Sequence, residues 1–126
     1  MTVLEKTFAL WSAEPTAVAL VPVDRFKPAG IYQSLGTPHV VFFPISLARY
    51  RTINAGASNA LEYGLWQFSI FGESFTAADA IYRKLLSVFD GNKGGFNYLF
   101  QTMRFVDENV DVKTVHLAVD FLVTAS

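Results

Sequence analysis

Apolar side chains near the start of the chain follow a helical period, with Leu4, Phe8 and Trp11 at i, i+4 and i+7. Thr2 followed by Glu5 has the spacing of a capping box, so a helix from Val3 to Ala13 is predicted. Pro15 permits a fresh start, and Thr16 to Val21 reads as one further short turn that Pro22 stops. Val23 to Pro38 holds Pro28, Gly30, Gly36 and Pro38 and reads as a long irregular connection, with Ile31 and Tyr32 as the residues to tuck inward.

Beyond it the pattern changes. Val40, Val41, Phe42, Phe43 and Ile45 make His39 to Leu47 a strand, in which Pro44, lacking an N–H, demands an edge position or a bulge. Arg49 to Ala60 is small and polar and reads as a hairpin loop. Leu61 to Phe71 resumes a strand, with Trp66, Phe68 and Ile70 on one face and Leu65, Gln67, Ser69 and Phe71 on the other. A second capping-box pattern, Thr76 with Asp79, opens a helix whose stripe is Ile81, Leu85 and Val88, and Gly91 stands where a C-terminal glycine belongs. After the turn Gly91 to Gly95, two alternating stretches, Phe96 to Val106 and Val112 to Val123, form an antiparallel hairpin around the acidic loop Asp107 to Asp111. The order helix, strand, strand, helix, strand, strand predicts an α+β fold: a four-stranded, mainly antiparallel sheet with two helices packed on one face.

A chain of 126 residues with 52% hydrophobic side chains is expected to form one domain, 1–126, with ample apolar surface for a core. The formal charge of −1 offers no basic field for holding nucleic acid. Its distribution is uneven, +2 over residues 1–60 and −3 over 61–126. With no cysteine, disulfides and thiolate chemistry are excluded, and a reducing compartment is the expectation. No apolar run reaches the length of a membrane span, and Glu5, Glu14 and Pro15 interrupt the start where a signal peptide would be apolar, so neither insertion nor export is indicated.

Catalytic chemistry has few candidates. Of the two histidines, His116 shares a strand face with Ala118 and Asp120, which fits an exposed cross-sheet pair better than a dyad, and His39 follows Pro38 as a boundary residue partly in water. Neither has a carboxylate at metal-binding spacing. Lys93 among glycines is followed by Gly94 rather than by Ser or Thr at a helix start, so the segment is a turn and not a phosphate loop. Asp107, Glu108 and Asp111 lack the calcium-loop pattern and read as a solvated hairpin tip. The expectation is therefore a protein that is not an enzyme, with no catalytic residues, no cofactor and no metal.

The unusual feature is apolar excess on both strand faces. Opposite Trp66, Phe68 and Ile70 stand Leu61, Tyr63, Leu65 and Phe71, which two helices on the other face would leave uncovered. Partner molecules or the 23–38 connection folding across would hide them.

Four segments carry a family resemblance: Val3 to Pro15, Thr37 to Phe43, Leu65 to Phe71, and the helix Ala77 to Phe89 closed by Asp90-Gly91. In element order and hydrophobic pattern the chain resembles the tail-completion proteins of long-tailed bacteriophages, also called tail terminators or head-to-tail joining proteins. That resemblance implies a structural virion protein at the head-proximal end of the tail, assembled in the host bacterial cytoplasm. It implies a ring of copies, usually a homohexamer, which meets the major tail tube protein on one side and the head completion or connector protein on the other. Within it, Arg49, Arg51 and Asn54 are the expected polar contacts to a neighbouring ring. If DNA passes transiently through the lumen, Glu62, Asp107, Glu108 and Asp111 are the acidic side chains expected to line it. The competing readings are a small homodimeric domain with a ligand pocket between helices and sheet, and an enzyme using His116 and Asp120.

Overall fold

The computed structural model describes residues 2–29, 36–47 and 64–125. The first helix, α1, spans Val3–Ser12 and opens on the expected capping box: Thr2 Oγ1 accepts the Glu5 amide, and the Glu5 carboxylate accepts the Thr2 amide, each at 3.1 Å. Its buried face is Val3, Thr7 and Trp11 rather than the Leu4 stripe, and Leu4 is exposed. Helix α2, Pro15–Leu20, starts with proline at its first position, where no amide is needed.

A four-stranded sheet is not what forms. Among the described residues the sheet has six strands in the order β1-β2-β3-β6-β5-β4 and is mixed and curled into a half-barrel, with three helices against it. The extra strands come from segments whose hydrophobic pattern is too short to show a period. β1 is Phe26–Pro28, inside the stretch expected to be irregular, and it pairs in parallel with β2, His39–Leu47. β4 is Gly91–Asn92, inside the expected turn, and it pairs with the start of β5, Phe96–Asn109. β3, Gly64–Gly72, lies antiparallel between β2 and β6, Thr114–Ala125. Pro44 sits beside a bulge, as its missing N–H requires. The last hairpin is longer than expected, so Asp107 and Glu108 belong to β5 and not to the loop.

Helix α3, Phe75–Phe89, begins earlier than the Thr76 pattern suggested: Ser74 caps it, its hydroxyl accepting the Ala77 amide at 3.1 Å. The turn leading into it requires Gly72, because a Cβ there would stand 2.9 Å from the Ala78 backbone nitrogen. Ala78, Ile81, Leu85 and Phe89 form its buried stripe.

Helices and sheet meet in an aromatic cluster. Phe26 stacks on Trp11 at 4.7 Å between ring centroids and lies 5.0 Å from Phe42, while Phe89 is 5.1 Å from Phe68. The indole N–H of Trp11 donates to the Val21 carbonyl at 2.9 Å, which fixes α1 to the end of α2. Below them the Thr7 hydroxyl and the Tyr98 phenol share a buried hydrogen bond of 2.9 Å, and burial pushes the phenol pKa up to about 12. Since Phe26 is fully buried and Leu4 is exposed, Phe26→Ala is expected to cost about 3–5 kcal/mol, against less than about 1 kcal/mol for Leu4→Ala, measured by urea denaturation.

Candidate functional site

Trp66, Phe68 and Ile70 of β3 face the helices together with Val119, Leu117 and Val115 of β6. The alternate residues build the opposite face, and cross-strand register sets them in rows. One row runs His39, Phe71, His116, Asp107; the next Val41, Ser69, Ala118, Arg104; the next Phe43, Gln67, Asp120, Thr102. The described part of the 23–38 connection does not cross this face. It extends the sheet at β1, and Phe26 turns into the helix-side core.

In the first row the Phe71 ring is sandwiched between two imidazoles, 4.4 Å from His39 and 4.3 Å from His116 by centroids and within 20° of coplanar with each, at 15° and 19°. His39 is buried rather than a half-wet boundary residue, and its Nδ1–H donates to the Gly36 carbonyl. His116 is half-buried, not exposed, and its Nε2 is buried without a hydrogen-bond partner. Burial lowers the pKa of both rings, because charging an imidazole there sacrifices hydration. For His39 the Gly36 bond opposes that shift and Arg25 adds to it; for His116 nearby Asp107 opposes it, while Arg104 and His39 add to it.

The middle rows are polar. Arg104 Nη2 donates to Gln67 Oε1 at 2.9 Å, crossing β6, and Gln67 Nε2 donates to the Ser69 hydroxyl at 2.9 Å. Asp120 accepts only a long bond from Thr102 Oγ1, 3.3 Å to Oδ2, and its Oδ1 is buried without a partner. His116 and Asp120, four residues apart on an extended strand, are separated by about 13 Å and face different partners, so no dyad assembles. No group of His, Asp and Glu suited to a metal ion occurs among the described residues.

Of the residues singled out from the sequence, Asp107 and Glu108 near the end of β5 and Asp111 in the turn after it are exposed together at one hairpin tip. Arg49, Arg51, Asn54 and Glu62 lie outside the described residues, as does the Arg49 to Ala60 loop. The sequence reading missed the histidine-phenylalanine sandwich, the Arg104-Gln67-Ser69 chain and the exposed Phe105, Val106, Val110 and Val112 around the acidic tip. Alternation placed Phe71, Gln67 and Ser69 on one face, but only the strand register reveals which residues stand beside them.

Both histidines bind protons less readily in the folded chain than in the unfolded one, so stability is greatest above about pH 6.5 and falls as the pH drops below it. The urea midpoint is expected to fall between pH 7.5 and 5.5, and to fall less in the His39→Gln/His116→Gln variant.

No protein-family model and no curated protein sequence matches the chain. Among solved structures, a chain in the virion of a native gene transfer agent (GTA) particle superimposes with a TM-score of 0.73, at 13% identity, over 98% of this chain and 94% of that one. At that identity the likeness establishes a shared fold.

Proposed function

We propose that this protein is a structural subunit of a phage-like virion, acting in tail completion: a ring of copies, in the manner of a homohexamer, that closes the tail tube and joins it to the head connector. The observation that carries this reading is the fold shared over almost the whole chain with a component of a gene transfer agent virion. The element order that resembles tail-completion proteins supports the same role. So does the surface: apolar side chains around an acidic hairpin tip, and a second sheet face that the helix layer does not cover, suit a protein that works through contacts. A structural rather than catalytic role agrees with the separation of His116 from Asp120.

In such a ring the tip carrying Asp107, Glu108 and Asp111 is the candidate lining of a DNA passage, where negative charge would keep the polymer from adhering. Particles produced without this protein are expected to show, in electron micrographs, overlong tails if it terminates the tube, or full heads beside free tails of normal length if it joins the two. Normal infectious particles would overturn the proposal. Reversing Asp111, in the turn beyond β5, to lysine is expected to reduce DNA delivery without preventing particle assembly; unchanged delivery removes the tip from the passage.

A further inference from the structure

The β5 strand is the longest in the sheet and the least covered. Its partner β4 reaches only Asn97 and Tyr98, and the Asp90 carboxylate takes the Phe100 amide at 3.2 Å. From Gln101 to Asn109 no strand lies along its outer side among the described residues. The unpaired backbone groups of such an edge form a template for one more strand.

A second observation falls in the same place. Phe105 is in register with Leu117 of β6 and, through it, with Ile70 of β3; both neighbours are 0% exposed, yet Phe105 is 52% exposed. α3 packs against β3 and β6, and its Tyr82 ring reaches β5 only at Phe100, 6.0 Å away. Beyond that contact, Phe105 and Phe75 in the first turn of α3 are both about half exposed, at 52% and 53%. One added strand would both pair the β5 backbone and lay alternate side chains beside Met103 and Phe105. Bulges at Phe100/Thr102 and Phe105/Asp107, with charges at Arg104, Asp107 and Glu108, keep this edge from accepting an arbitrary strand.

We infer that the outer edge of β5 receives the opposite sheet edge of a second copy of this chain, in head-to-tail fashion. The opposite edge is β1, which also has no outer neighbour among the described residues and presents carbonyl acceptors only, since Pro28 has no N–H and the Phe26 amide is bonded to the Val23 carbonyl. Charge fits the pairing: Asp24, Arg25 and Lys27 give the β1 edge one net positive charge, while Arg104, Asp107, Glu108, Asp111 and Lys113 give the β5 hairpin one net negative charge. Unlike edges that join head to tail leave each copy with one donor and one acceptor edge, the arrangement that closes into a ring. This deepens the ring reading above and rests on it.

The test uses the full chain at increasing concentration, with mass from sedimentation and backbone hydrogen exchange followed by mass spectrometry. Assembly is expected to slow exchange within residues 101–109. Phe105→Lys, at a half-exposed position, is expected to weaken self-association at least tenfold while leaving the thermal midpoint unchanged; Val106→Lys serves if that variant is destabilised. Glu108→Lys and Lys27→Glu should each weaken assembly and together restore it. Assembly without slowed exchange at 101–109 overturns this inference and leaves the ring reading standing. Slowed exchange at 101–109 only on adding a different virion protein replaces the second copy as occupant. A chain that stays monomeric at every concentration and is absent from purified particles overturns both.

Discussion

The contact on which the rest of the structure depends is the stack of Trp11 on Phe26. Trp11 comes from the first helix and hydrogen-bonds the end of the second, whereas Phe26 comes from a three-residue strand at the sheet edge. Around Phe26 lie Phe42, Phe68 and Phe89, one ring each from β2, β3 and α3. One buried aromatic side chain therefore joins five elements. A segment as short as β1 contributes few ladder hydrogen bonds of its own; burial of Phe26 gives it a reason to be a strand at all.

That cluster also decides where the helices lie. Anchored at β1 and by Thr7 on Tyr98, the helix layer covers the sheet over β1, β2, β3, β6 and the beginning of β5. A sheet of six strands is wider than that layer, so the far part of β5 carries Phe105 on the helix-side face with no helix above it among the described residues. The exposed Phe105, Val106, Val110 and Val112 thus gather at one end of the sheet and coincide with its acidic tip, while Leu4, Val23, Ile45 and Leu99 are exposed singly elsewhere.

The opposite sheet face follows different rules. Its small residues Ser69 and Ala118 share a row with Arg104, whose bond to Gln67 bridges β6, and burial lowers the pKa of the two imidazoles stacked on Phe71. Asp120 is held there with one oxygen unmatched, at a cost to the fold that a neutral side chain of similar size would not carry. The face is a mixed surface, less greasy than the run of Leu65 and Phe71 suggested, because Gln67, Ser69 and Asp120 alternate into it.

The sequence alone determined the features that depend on neighbours along the chain. The capping box at Thr2 and Glu5, the helical stripe of Ile81 and Leu85, the need of Pro44 for an edge or a bulge and the inward set Trp66, Phe68 and Ile70 are local consequences of side-chain period and backbone chemistry. Tertiary structure decided the rest. β1 and β4 are too short to carry a period, so they became strands only because β2 and β5 offered edges and Phe26 needed a core. Likewise, His39, Phe71 and His116 come from three strands, and only register places them in one row. Local patterns fix what each segment can become; pairing between distant segments fixes which residues meet, and the meeting of residues makes a functional surface.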